Sequence, residues 1–377
     1  MNGAAGSVLV SAGGTGGHLF PAEALALALE ARGWRIHLAT DHRVESYGQD
    51  FPAEEIHVIP SATLTRAPTA LAHGLYRLTR GMLAARRLVR RLKPDVAVGF
   101  GGYPTLPPML MASRAGIPTI IHDQNAVLGR ANRFLAARVT AIATSFGKVG
   151  GGDLWRFKMV ETGNPVRPAV RQAALTPYPR RETGDPFNLL VFGGSQGARF
   201  MSELVPAAIG ELPEAIRARL RVVQQCRPED IERVATAYRA VGVAAELQPF
   251  FRDLPSRIAA SHLVVSRSGA STVAELAVIG RPAIMVPLPN ALDQDQKANA
   301  EVLARAGGGW MVEQRAMTPG RLAGDLAELI AGPARLAASA EGARRVGRPD
   351  AADRLADLVE RVAKGAPVAA AVEQVPA

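Results

Sequence analysis

The chain has 377 residues, enough for two domains of ordinary size, and its 48% hydrophobic and 21% charged content is that of a globular protein. Cys226 is the only cysteine, which excludes an internal disulfide and points to a reducing compartment. The net charge of +10 is lopsided, with 18 Lys and Arg against 11 Asp and Glu in residues 1–165 and 26 against 23 in the remainder, an excess that nucleic acid or an anionic membrane could explain; aromatic content of only 5%, not interleaved with the basic residues, speaks against single-stranded nucleic acid.

In chain order, Met1–Gly6 lacks the basic and apolar regions of a signal peptide, and no later run reaches the ~20 apolar residues of a membrane span. Strand-like runs are expected at Ser7–Ala12, Trp34–Thr40, Glu55–Pro60, Asp95–Phe100, Pro118–His122 and Val139–Thr144, most of them separated by helical patterns. That alternation predicts a parallel sheet covered by helices. After the first strand comes Gly13-Gly14-Thr15-Gly16-Gly17-His18, then a helix over Leu19–Ala31. Glycines at a strand-to-helix turn let backbone approach a ligand, and free N–H groups there favour phosphate. The bland alternative is a tight turn. A dinucleotide fingerprint fails because Leu19 stands where its last glycine belongs, and no Gly-Lys-Ser/Thr ending marks an ATPase loop.

The stretch Leu64–Lys93 holds Arg66, Arg77, Arg80, Arg86, Arg87, Arg90, Arg91 and Lys93, no acid, and apolar residues between them. It reads either as a solvated basic helix face or as a surface for anionic lipid. Two polar loops follow strand ends: Gly99–Pro104, with Tyr103, and His122-Asp123-Gln124-Asn125, followed by Gly129-Arg130-Ala131-Asn132. Asp123 and Asn132 suit a polar pocket or helix caps. From Gly163-Asn164-Pro165-Val166-Arg167 to Pro186 the chain is rich in Pro and Arg and lacks periodicity, as a linker does. The expected organisation is a first α/β domain over 1–163, a linker over 164–186, a second α/β domain over 187–348, a helix over 349–364 and a disordered tail over 365–377.

The second half repeats the opening: strand Asn188–Phe192, the loop Gly193-Gly194-Ser195-Gln196-Gly197, then a helix. Strands are expected at Arg221–Gln225, Ala244–Pro249, Leu263–Ser266 and Pro282–Val286. Ser266–Glu275 reads as strand end, turn and helix start. Ser271 or Thr272 can cap that helix and leave N–H groups for a diphosphate, and Glu275 one turn on can accept ribose hydroxyls. Thr272 to Glu275 also fits a capping box. Asp293-Gln294-Asp295-Gln296 offers two carboxylates, few for a metal ion but suited to sugar hydroxyls. Helices are expected at Pro319–Ala331 and Asp350–Ala363.

Taken in order, Gly13–His18, His122–Asn125, Gly163–Arg167, Gly193–Gly197, Arg267-Ser268-Gly269-Ala270 and Asp295-Gln296 resemble the MurG family of N-acetylglucosaminyltransferases over about residues 7–363. The resemblance implies two Rossmann-like domains facing across a cleft, the GT-B arrangement. It implies a UDP-N-acetylglucosamine donor and a lipid I acceptor, undecaprenyl diphosphate bearing N-acetylmuramoyl-pentapeptide, converted to lipid II for the cell wall. It further implies a peripheral place on the cytoplasmic face of a bacterial inner membrane, partners among cell-wall and division proteins, and no nucleic-acid partner. Carried over by motif, Ser195, Ala270, Ser271 and Thr272 would hold the diphosphate, Arg167 the nucleotide, the Phe251 position the uracil, Glu275 the ribose, and Gln296 with Asp295 the sugar. Thr15, Gly16, Gly17, His18, Tyr103, Asp123, Asn125 and Asn132 would face the acceptor and the transferred sugar. His18 is the first candidate base and Asp123 the second; Asp123 is one methylene shorter than the family's usual Glu. Glycine loops and a helix terminus can stabilise departing UDP, so no obligatory metal or cofactor is expected. A transferase for another lipid such as diacylglycerol, and a silent sugar-nucleotide scaffold, are the alternatives.

Overall fold

The computed structural model describes residues 5–13, 16–43, 51–61, 68–182, 184–194 and 198–368, without the side chains of 68–73, 75 and 292. The chain divides into two compact units, Met1–Arg167 with Arg348–Ala377, and Pro168–Gly347. Among the described residues the first unit holds strands β1 Gly6–Ser11, β2 Trp34–Thr40, β3 Glu55–Val58, β4 Val96–Gly99, β5 Thr119–Asp123, β6 Ala141–Thr144 and β7 Met159–Glu161. They form one all-parallel sheet in the order β3-β2-β1-β4-β5-β6-β7. The second unit holds β8 Phe187–Phe192, β9 Leu220–Gln225, β10 Ala245–Gln248, β11 Leu263–Ser266, β12 Ala283–Met285 and β13 Gly309–Met311, all parallel in the order β10-β9-β8-β11-β12-β13.

Continuous apolar runs make these strands because a parallel sheet is covered on both faces. Along the first sheet, Val8, Val10 and Ile120 pack with Leu25 and Leu29 of helix Gly16–Glu30. Their neighbours Leu9 and Ile121 pack on the other face with Leu88, Met109 and Leu135. In both sheets the strand order reverses between two neighbours, β1 and β4 in the first and β8 and β11 in the second. Open α/β sheets bind ligands outside the strand C-termini at such a reversal.

Several expectations need correcting. The helix after β1 starts at Gly16, so Gly16, Gly17 and His18 form its first turn rather than the end of a loop. Strands β7 and β13 were not expected, since three residues are too few to show a period. The expected linker is largely part of the second unit. Its Pro168–Ala174 is a helix with Val170 and Ala173 buried. The guanidinium of fully buried Arg281 then holds the Thr176 and Pro177 carbonyls at 3.1 and 3.0 Å. The C-terminal helix, Ala351–Ala363, belongs to the first unit, where Leu355, Leu358, Val359 and Val362 join the core beside helix Gly16–Glu30. Of the expected disordered tail, residues 369–377 lie outside the described residues.

Candidate active site

In the first unit, the chain leaving β1 and the chain leaving β4 meet at the reversal, and the His18 ring lies where they meet. A methyl group at Gly13, Gly101 or Gly102 would sit 3.4, 3.5 or 3.5 Å from an imidazole carbon. Gly101 and Gly102 have φ of 87° and 78°, the left-handed region that glycine occupies without cost. Those distances are ordinary contacts, so at Gly101 and Gly102 it is the backbone direction that calls for glycine.

His18 is half-buried, and its Nδ1 lies 3.1 Å from Gln124 Oε1. Burial holds its pKa below the ordinary imidazole value; Gln124, Asp123 and the Phe100 carbonyl pull upward, and Arg43 adds to the lowering. Arg43 is itself clamped by Asp41 at the end of β2, at 2.5 Å through Nη2. Gln124 Nε2 lies 3.0 Å from the Phe100 carbonyl, 3.2 Å from the His122 carbonyl and 3.1 Å from His122 Nδ1. His122 Nε2 in turn faces the Gly163 carbonyl at 3.0 Å. Burial lowers the His122 pKa to about 4.

Asp123 is almost fully buried. Its Oδ1 accepts from the Asn125 N–H at 3.1 Å; its Oδ2 accepts from the Gly129 N–H at 2.8 Å and Asn132 Nδ2 at 3.0 Å. Burial raises its pKa against those three donors. The carboxylate thus fastens the loop that follows β5. Asn132 Nδ2 also donates to the His122 carbonyl at 3.1 Å, while its buried Oδ1 has no partner among the described residues. Asn125 and Tyr103 are half-buried beside this cluster in sequence. Arg167 closes the first unit with its guanidinium 4.1 Å above the Phe20 ring, one helical turn beyond Gly16. Thr15 lies outside the described residues.

In the second unit, β11 leads through Arg267-Ser268-Gly269 into helix Ala270–Ile279. Its N-cap is Gly269, with no side-chain cap, so the capping-box reading of Thr272 and Glu275 does not hold. Ser271 and Thr272 lie inside the first turn and are partly exposed, whereas Glu275 is buried. Among the described residues a methyl group on Gly269 would meet nothing within 4 Å, at the positive end of the helix dipole. The turn is held from below. Ser268 Oγ donates to the Gln296 carbonyl at 2.8 Å, and buried Arg267 donates to the Val286 and Pro287 carbonyls at 3.0 and 3.2 Å. Gln296 Oε1 accepts from the Leu288 N–H at 3.0 Å. Asp293 and Gln294 before it both have left-handed backbone, φ 58° and 56°, a strained approach to the helix carrying Asp295 and Gln296. After β8, the Gly193 N–H is already donated to Gln225 Oε1 at 3.1 Å, and Ser195 lies outside the described residues. Phe251 is buried under the Arg257 guanidinium, 4.4 Å from its ring centre. Among the described residues no three His, Cys, Asp or Glu side chains gather as a metal site requires.

Residues 8–144 match the glycosyltransferase family 28 N-terminal domain, and residues 188–355 its C-terminal domain. A Methylobacterium nodulans protein named UDP-N-acetylglucosamine--N-acetylmuramyl-(pentapeptide) pyrophosphoryl-undecaprenol N-acetylglucosamine transferase is 59% identical over 94% of this chain and 96% of its own length. A Rhizobium etli protein of the same name is 54% identical over 96% of both chains. Acinetobacter baumannii MurG superposes with a TM-score of 0.75 at 29% identity, over 94% of this chain and 99% of its own. The chain belongs to the MurG family. Gln124 contacts His18 directly, His122 contacts Gln124, and Arg43 biases the ring, although none of the three was given a role from the sequence. Gln124 and His122 were visible only as members of a costly polar run. Arg43 had a weaker signal, its place just after a strand end.

Proposed function

We propose that the chain transfers N-acetylglucosamine from UDP-N-acetylglucosamine to the C4 hydroxyl of N-acetylmuramic acid on lipid I, giving lipid II. The observation that carries this reading is the near end-to-end identity to relatives whose names state that transfer. The first unit takes the acceptor and the second the nucleotide. Transfer is a single displacement with inversion. The acceptor O4 forms a bond to the sugar C1 as the bond from C1 to the diphosphate breaks, and the O4 proton passes to His18.

His18 suits the base because burial keeps the ring neutral near pH 7. Asp123 suits it less, because both carboxylate oxygens are engaged in fastening the loop. The charge growing on UDP is met by the uncapped terminus of helix Ala270–Ile279 with Ser271 and Thr272. Glu275 takes the ribose, Ser195 the diphosphate and the Phe251 backbone the uracil, while Arg167 helps to fix the nucleotide. Gln296, whose Oε1 is committed to Leu288, offers the sugar its Nε2 donor. Gly16, Gly17, Thr15, Tyr103, Asn125 and Asn132 line the acceptor and transferred sugar. The exposed basic face of helix Pro68–Leu92 meets the anionic inner-membrane surface that carries the acceptor. Among the described residues no helix is long and apolar enough to cross a membrane.

The test is transfer of labelled sugar from the UDP donor to a short-chain lipid I analogue. Wild type should transfer, and Glu275→Ala should fail mainly in donor binding. His18→Ala should lose about a hundredfold or more in kcat with donor binding retained. Folded wild type that binds UDP-sugar but transfers only to diacylglycerol, or not at all, would overturn the acceptor assignment.

A further inference from the structure

We infer that Gln124 is a positioning residue: it holds His18 in the tautomer that carries its proton on Nδ1, leaving the Nε2 lone pair to act. The inference rests on the reading of His18 as the base. Gly163, His122, Gln124 and His18 form a chain of hydrogen bonds with only one consistent direction. Gly163 presents a carbonyl, which can only accept, so His122 Nε2 carries a proton and donates it at 3.0 Å. A neutral His122 then has its lone pair on Nδ1, which accepts from Gln124 Nε2 at 3.1 Å. The Gln124 amide cannot be turned over, because its Nε2 also lies within 3.0 and 3.2 Å of the Phe100 and His122 carbonyls, and an oxygen there would face two acceptors. Gln124 Oε1 therefore faces His18 Nδ1, 3.1 Å away, and that nitrogen must be the donor.

The choice of an amide matters. A carboxylate at this position would also fix Nδ1–H, but its charge would favour the imidazolium and weaken the base at neutral pH. A neutral acceptor fixes the tautomer without that charge. The charged groups that bear on the ring are Asp123, which raises its pKa, and Arg43, which lowers it. The remaining edge is kept clear by glycine: a methyl group on Gly102 would lie 3.6 Å from Nε2.

The decisive experiment reads the ring nitrogens of the full-length protein by two-bond 15N–1H correlation at pH 7.5, with His18→Ala and His122→Ala assigning the signals. His18 should appear as Nδ1–H and His122 as Nε2–H, opposite tautomers on neighbouring rings. His18 found as Nε2–H would overturn the inference, whatever the enzyme transfers. Failure of wild type to transfer N-acetylglucosamine would count against the functional reading instead, so the two failures are distinguishable. Two variants add kinetic arms. Gln124→Leu should populate Nε2–H at His18 and lower kcat about tenfold or more, with the donor KM nearly unchanged. Gln124→Glu should keep Nδ1–H but move the acid limb of kcat/KM upward by about one pH unit. A folded Gln124→Leu protein with wild-type kcat and an unmoved pH profile would also refute the assignment.

Discussion

At the scale of single residues, two candidates for one proton, an imidazole and a carboxylate, are separated by what already holds them. His18 is bound at one nitrogen; Asp123 is bound at both oxygens by three donors. Replacing Asp123 with Asn puts an NH2 group where an oxygen now accepts, so one N–H loses its acceptor and meets another donor. Asp123→Asn is expected to cost about 2–3 kcal/mol of stability, read as a lower thermal midpoint. Its kinetic effect separates the roles. Loss of the negative charge removes a group that raises the His18 pKa, so the acid limb of kcat/KM should move to lower pH. Residual turnover in the folded variant should exceed that of His18→Ala. An Asp123→Asn enzyme as dead as His18→Ala, with its fold intact, would transfer the base role to Asp123.

At the scale of elements, the basic stretch becomes one long helix, Pro68–Leu92, whose two faces differ in kind. Ala85, Leu88 and Val89 are buried, and a methyl group on Gly81 would collide with the Pro60 carbonyl, so that side is committed to the fold. Tyr76, Arg80, Leu83, Arg86, Arg87, Arg90 and Arg91 are exposed. Leu64 and Arg66 lie outside the described residues, as do the side chains of Leu71 and Leu75. Arginines beside an exposed Tyr and Leu suit an anionic bilayer, at about 1 kcal/mol per cation near the surface. Reversing Arg86, Arg87, Arg90 and Arg91 to Glu should therefore weaken binding to phosphatidylglycerol vesicles at least about a hundredfold in co-sedimentation. Transfer to a soluble short-chain acceptor should be spared. Unchanged vesicle binding would leave this helix a solvated face. The strands themselves were legible because buried parallel strands are uninterrupted apolar runs, and Leu263–Ser266 was bounded to the residue. The N-terminus of helix Ala270–Ile279 was misread because Thr272 and Glu275 have capping-box spacing, while the backbone turn at Gly269 fixes the N-cap three residues earlier. The Gln124 network was illegible because its partners, Phe100, His122 and Gly163, come from the ends of three chain segments that only the sheet brings together.

At the scale of the whole molecule, connectivity is the property the sequence hid most fully. The C-terminal helix looks like an appendage until its buried face meets the first core and Arg32 meets Asp357 at 2.7 Å. A second shared property is visible only when both units are considered together. Each contains a buried histidine whose pKa is held at about 4, His122 in the first and His262 in the second. Burial is the main cause in both, and Arg181 and Arg281 add to it at His262. In both rings Nδ1 already accepts a hydrogen bond, from Gln124 Nε2 at 3.1 Å and from the Asn188 N–H at 2.9 Å, so protonation there would break a native contact. His18, His37 and His57 are shifted in the same direction. The sign follows from proton counting. Above pH 6.5 these rings are neutral whether the chain is folded or unfolded, and their contribution to stability is complete. As pH falls below that value the unfolded chain takes up protons that the folded chain refuses, and stability is lost until the folded rings titrate near pH 4. Each of the shifts at His122 and His262 corresponds to about 3 kcal/mol across that window. Calorimetry should therefore show melting of both units moving steeply downward between pH 6.5 and 4, whether they melt together or apart. A His262→Asn protein, whose side chain can still accept from Asn188, should flatten that dependence in the second unit alone. Melting that does not change between pH 7 and 5 would mean that neither ring is held neutral by the fold.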